Sequence, residues 1–136
     1  MGQMMADKVK ETPQFWPIDM VVPVPMSSSG VRKRGFNQSE LLSARITKLL
    51  KLRHDPRVLI RVKETPPQRE LSRQEREKNL KDAFAIKDPK HIQGKNVLLV
   101  DDVYTTGSTV KECTNALLKA GAARVGVISW AAGKGF

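Results

Sequence analysis

The stretch Val97-Leu98-Leu99-Val100-Asp101-Asp102-Val103-Tyr104-Thr105-Thr106-Gly107-Ser108-Thr109 decides how this 136-residue chain folds. Its first four residues form a continuous apolar run, the pattern of a central parallel strand covered on both faces. Such a strand carries the residues after it, Asp101 and Asp102, to the carboxyl edge of the sheet, where open α/β folds bind ligands. A hydroxyl-rich turn follows, made of Thr105, Thr106, Gly107, Ser108 and Thr109. Gly107 lets the backbone pass close to a ligand. The spacing predicts a helix from Ser108 or Thr109 to Ala120, closed by Gly121 as its C′ residue.

The chemistry of this segment is that of an anion cradle beside two carboxylates. Backbone amides and hydroxyls of the turn, with the positive end of the helix dipole, suit a phosphate. Asp101 and Asp102 cannot share that anion, so their partners are ribose hydroxyls or a hydrated Mg²⁺. Phosphate and diol side by side describe a ribose 5-phosphate. Three rivals fit less well. A Walker B strand ends similarly, but no Gly-x-x-x-x-Gly-Lys-Ser/Thr occurs in the chain. A phospho-receiver domain needs a later aspartate as acceptor, and none follows Asp102. A buried strand leading into a capped helix, with no ligand, seldom ends in two carboxylates, four hydroxyls and a glycine.

Working outward, Ile18 to Val24 reads as another buried strand, with Pro23 and Pro25 removing ladder donors. Met26 to Gly35 reads as a flexible basic loop containing Arg32, Lys33 and Arg34. A helix follows from Gln38, with Leu42, Ile46, Leu49 and Leu50 on one face and Asn37 or Ser39 as cap. Val58 to Val62 and Phe84 to Ile86 read as short strands, and Val125 to Ile128 as the last. Glu64 to Asp82 is dense in both charge signs and poor in apolar residues, so it reads as a mobile excursion. Strands alternating with helices imply an α/β fold with a mostly parallel, twisted sheet flanked by helices. Residues 1–12 are polar and read as a flexible leader, leaving residues 13–136 as one domain.

Composition limits the class of protein. A hydrophobic content of 40% with 28% charged residues suits a soluble domain. No apolar run nears the ~20 residues of a membrane span, and the N-terminus lacks a signal-peptide core, so a cytoplasmic protein is expected. The single cysteine, Cys113, excludes an internal disulfide and reads as a small core residue. Both histidines, His54 and His91, fall in loops and read as surface residues. Net charge is +10, concentrated between Arg32 and Lys63, where ten basic residues face only Glu40 and Asp55. Within that region Lys48, Lys51 and Arg53 fit a surface for a polyanion and, equally, an ordinary solvated face.

Residues 97–109 resemble the phosphoribosyl-diphosphate motif of type I phosphoribosyltransferases. The rest resembles one branch of them, the ComF family of competence proteins. The likeness is carried by Val22-Pro23-Val24-Pro25, Arg34-Gly35-Phe36-Asn37-Gln38, then Gln68, Leu71, Arg76, Asn79 and Phe84, and Ala120-Gly121-Ala122. It covers roughly residues 18–129.

The resemblance implies a type I phosphoribosyltransferase-like fold and a Mg²⁺-dependent reaction or binding of phosphoribosyl diphosphate. Asp101 and Asp102 would contact the ribose hydroxyls, directly or through Mg²⁺. Thr105, Thr106, Gly107, Ser108 and Thr109 would hold the 5′-phosphate. Arg32, Lys33 and Arg34 would meet the diphosphate. Residues 64–82 would be a flap bringing Arg76, and with it Arg69, over the leaving group, although a surface ion pair suits each arginine equally. The family's link to natural transformation implies a second reading. In it the chain is a DNA-uptake accessory protein, holding single-stranded DNA or a partner protein through Lys48, Lys51 and Arg53. The cysteine-rich zinc module with which such proteins commonly begin has no counterpart in this sequence. No acceptor pocket and no dedicated general base can be read from it.

Overall fold

The computed structural model describes residues 2–25, 38–62, 74, 83–101 and 107–129. In chain order these form helix α1 (Gly2–Lys10), strand β1 (Met20–Pro23), helix α2 (Gln38–Leu50) and strands β2 (Leu59–Arg61), β3 (Phe84–Ile86) and β4 (Asn96–Asp101). Helix α3 (Gly107–Lys119) and strand β5 (Arg124–Ser129) complete the order. Short 3-10 turns occupy Pro13–Phe15 and Pro89–His91.

The apolar run 97–100 does lie at the centre of a parallel sheet, in the order β1-β4-β5. Met20 to Pro23 stand opposite Val97 to Val100, and Asn96 to Asp101 stand opposite Arg124 to Ser129. Pro23 has no N–H to give, yet the ladder resumes at once, because Val24 N–H donates to Val100 O at 2.9 Å. On the other side of β1 the chain adds a fourth position. Val21 N–H donates to Arg53 O at 2.9 Å and Asp55 N–H donates to Val21 O at 3.0 Å, so His54 bridges Val21 in parallel. β2 and β3 form a separate antiparallel pair, Arg61 opposite Phe84.

The two-residue period of the strands divides the core into two layers. Met20, Val22, Val97 and Leu99 face one way, into a cluster with Phe84 of β3 and Cys113 and Leu117 of α3. Val21, Leu98, Val100 and Ile128 face the other way, against Met5 and Val9 of α1 and Leu42 and Ile46 of α2. Both faces of β4 are therefore covered, which is what its unbroken apolar sequence requires. Each such side chain stabilises the fold by about 1.5–3 kcal/mol relative to exposure.

Two sequence expectations are corrected here. Residues 1–12 contain a packed helix where a flexible leader was expected. Met5, Ala6 and Val9 are buried against α2, and Trp16 Nε1 donates to Val9 O at 2.9 Å. A nine-residue helix with three buried apolar positions cannot hold itself in water, but tertiary contact with α2 can hold it. Ser39 lies inside α2, which begins at Gln38, so it is not the cap. With Ser43 and Thr47 it forms a buried row of small residues along α2.

The helix ends follow their chemistry. α3 closes in a Schellman arrangement: Ala122 N–H donates to Leu117 O at 3.1 Å and Gly121 N–H donates to Leu118 O at 3.0 Å. Gly121 sits at φ +105°, where a side chain would be strained. α2 ends with Lys51 in the left-handed region, at φ 57°, despite its side chain.

Candidate functional site

β4 ends in Asp101, only 3% exposed and in register with Ser129 of β5. Just five residues separate it from Gly107, where α3 begins. The carboxyl edge of the sheet thus brings together a buried carboxylate and the amino end of a 13-residue helix. That end exposes backbone N–H groups and the positive pole of the dipole, which favour an anion there. Thr109, in the first turn of α3, is 8% exposed and shares a face with Cys113 and Leu117.

Cys113 is fully buried, in agreement with its reading as a core residue. Burial pushes its thiol well above the ordinary range; the negative charge of Asp101 adds to this and the positive charge of Arg61 opposes it. A thiol so held is not a nucleophile. Arg61 also lies over the ring of Phe84, its guanidinium carbon 5.5 Å from the centroid.

Among the other expected site residues, Gly107 and Ser108 open α3. Asp102, Thr105, Thr106, Arg76, Arg32, Lys33 and Arg34 lie outside the described residues, as does nearly all of the 64–82 flap. The carboxyl edge is nonetheless where their segments join the fold: 26–37 follows β1 and 102–106 follows β4. Asp101 is a carboxylate of the kind Mg²⁺ takes, an ion that keeps most of its water and binds one or two carboxylates plus substrate oxygens. Among the described residues no group of three or more His, Cys, Asp or Glu side chains forms a closed metal cage.

Lys48 and Lys51 are exposed at the end of α2. Arg53 is 57% exposed and its Nε lies 3.1 Å from Asp55 Oδ2. That approach is an ion pair rather than an aligned hydrogen bond, since Oδ2 has no hydrogen-bond partner. Beyond it an open groove of about 480 Å³ is lined by Asp55, Arg57, Val58, Lys87, Asp88 and His91. His54 corrects its sequence reading. It is half-buried, its Nε2 is 2.6 Å from Ser43 Oγ, and desolvation lowers its pKa against the opposing pull of Glu40 and Asp55. His91 is exposed, as expected, 3.6 Å from Asp88. Among the described residues no helix is long and apolar enough to cross a membrane.

Comparison with known proteins agrees with this geometry. The phosphoribosyl transferase domain family matches residues 5–134. The DNA utilization protein YhgH of Salmonella typhi is 44% identical over 109 residues, covering 80% of this chain and 47% of that protein. Competence protein F of Haemophilus influenzae is 38% identical over 119 residues, covering 87% of this chain and 52% of that protein.

The chain belongs to the ComF family.

Competence protein ComFC of Bacillus subtilis extends the family likeness at 31% identity over 104 residues, 76% of this chain and 40% of that one. This ComF-family chain spans about half the length of the curated relatives it matches. Solved structures share the type I phosphoribosyltransferase fold at lower identity. An allosteric regulatory enzyme of purine biosynthesis superposes with a TM-score of 0.61 at 22% identity, over 94% of this chain and 24% of that one. The purine phosphoribosyltransferase of Pyrococcus horikoshii does so with a TM-score of 0.57 at 14% identity, over 94% and 71%.

Proposed function

We propose that this domain binds phosphoribosyl diphosphate with Mg²⁺ at the carboxyl edge of its sheet and acts as a phosphoribosyltransferase. The observation that carries this reading is Asp101, a buried carboxylate closing the central strand and separated by five residues from the amino end of α3. Asp101 and Asp102 accept hydrogen bonds from the ribose hydroxyls or from water on the metal. The segment from Thr105 to Thr109 takes the 5′-phosphate, using backbone N–H groups that α3 leaves unpaired at its start. Arg32, Lys33 and Arg34 approach the diphosphate from the segment after β1, and Arg76 covers it from the segment between β2 and β3.

In the reaction the bond from the anomeric carbon to the diphosphate oxygen breaks, and a bond from that carbon to the acceptor forms. Positive charge develops on the ribose ring, and the carboxylates below it stabilise that charge. Bound Mg²⁺ supplies neutralisation of the departing diphosphate. Ligand protection tests the reading. With Mg²⁺ and phosphoribosyl diphosphate at about a hundred times Kd, the domain gains roughly 2.7 kcal/mol, read as a melting temperature raised by several degrees. Asp101→Asn loses that gain. No shift in the parent protein, at any ligand concentration, counts against the reading.

A second reading is supported by the exposed Lys48 and Lys51 at the end of α2 and by the names of the relatives, DNA utilization and competence proteins. In this reading the domain serves DNA uptake, holding the backbone of single-stranded DNA through Lys48, Lys51 and Arg53. The two readings use different surfaces and are compatible in one molecule.

A further inference from the structure

The segment that leads into β2 and the one that leaves β3 are held side by side, because Lys87 N–H donates to Val58 O at 2.9 Å. Both line the open groove of about 480 Å³, together with Asp55 and His91. The groove carries two carboxylates, and both are already engaged. Asp55 Oδ2 is 3.1 Å from Arg53 Nε. Asp88 Oδ1 accepts Lys90 N–H at 3.2 Å, and its Oδ2 is 3.6 Å from His91 Nε2. The two full cations of the lining, Arg57 and Lys87, are exposed, and among the described residues neither takes part in an ion pair. A groove whose acids are matched and whose cations are not presents a positive field, so the ligand it suits is an anion.

Shape and surroundings narrow the anion. A small-molecule pocket buries most of its ligand, whereas this groove stands open, as a polymer passing through it requires. Its volume takes a nucleotide-sized segment and not a duplex. It also adjoins the basic end of α2. Arg53, paired with the groove residue Asp55, follows Lys51 by two residues, and Leu52 N–H donates to Thr47 O at 3.0 Å, holding this turn against the helix. α2 packs in one core layer and Val58 in the other. A path from Lys48 and Lys51 past Arg53 to Arg57 and Lys87 therefore rounds the edge of the sheet where His54 bridges Val21. Among the described residues no Phe, Tyr or Trp lines the groove, which leaves the phosphate backbone rather than the bases as the group held. We propose that this groove seats the phosphate backbone of a single strand of DNA, with Arg57 and Lys87 as its contacts and Arg53 at its mouth. The inference rests on the second reading of function above, and it adds a groove beyond the helix end that reading used.

The test is fluorescence anisotropy of labelled single-stranded oligonucleotides of two unrelated sequences, and of a duplex, over a range of salt concentrations. Arg57→Gln with Lys87→Gln is expected to weaken single-strand binding on the order of tenfold and to lower the slope of log affinity against log salt by about 1.4, or about 0.7 for each phosphate contact. Both sequences lose alike, since phosphate contacts carry no sequence information, and the duplex loses less. Arg57→Lys with Lys87→Arg keeps both charges and keeps the slope. Lys8→Gln with Lys10→Gln removes the same net charge from exposed positions of α1, which packs in the other core layer, and leaves the slope unchanged. Should the double glutamine variant fail to fold, each single variant is read instead, with a drop in slope of about 0.7. Parent-like affinity and slope in the groove variant overturns the inference, and so does an equal loss in the α1 variant or with the duplex. If the groove variant is silent while glutamine at Lys48 and Lys51 weakens the single strand, the groove is refuted and the DNA reading stands. A parent protein that binds no single strand overturns that reading, and this inference with it.

Discussion

The imidazole Nε2 of His54 lies 2.6 Å from the hydroxyl oxygen of Ser43, pinning the edge segment of the sheet to the helix that precedes it. Ser43 is fully buried on α2 and also donates to Glu40 O at 3.0 Å, so the pair sits at the seam between helix and sheet. Desolvation makes the charged imidazole unfavourable there and lowers its pKa below the ordinary 6.5.

The sign of the pH effect follows. A histidine whose folded pKa is depressed binds fewer protons in the folded than in the unfolded state. Stability is therefore full above pH 6.5, the unfolded value, and falls as pH drops from there toward the folded pKa. Urea denaturation between pH 7.5 and 5.5 should show a declining midpoint, and His54→Gln should remove part of that decline. An identical decline in the variant would mean that other groups cause it.

Helix α1 is expected to behave as part of the domain core. Val9 is fully buried and its carbonyl accepts the Trp16 indole N–H. Val9→Ala should cost about 2 kcal/mol through lost burial and the cavity left behind, measured by urea denaturation. An exposed position such as Met4, 66% accessible, should tolerate alanine within about 0.5 kcal/mol. Equal effects at the two positions would contradict the packing.

The basic end of α2 supports its own prediction. Neutralising Lys48, Lys51 and Arg53 with glutamine should weaken single-stranded DNA binding and reduce the slope of log affinity against log salt by about 0.7 per contact removed. Arg53, already paired with Asp55 at 3.1 Å, should contribute less than either lysine. Phosphoribosyl diphosphate binding should not change. Fluorescence anisotropy with a labelled oligonucleotide reads the first effect and calorimetry the second.

The parts of this fold that could be read from sequence are those whose signal is local. Val97 to Val100 announces a strand covered on both faces because no polar residue interrupts it. Asp101 follows as the last residue of that strand, at the carboxyl edge of the sheet, and Gly121 closes α3 where the helical period ends. Helix α1 was hidden because Met5, Ala6 and Val9 form too small a stripe without α2 to lie on. His54 read as a loop residue because its partner, Ser43, is eleven residues away on another element.

The central claim, a phosphoribosyl diphosphate site on the Asp101 edge, is tested most directly by calorimetric titration with and without Mg²⁺. The Asp101→Asn, Asp102→Asn double variant serves as the control. The account predicts Mg²⁺-dependent binding in the micromolar range, roughly −8 kcal/mol, that is lost in a double variant that still folds. Binding that survives the double substitution, or none in the well-folded parent protein, would contradict it.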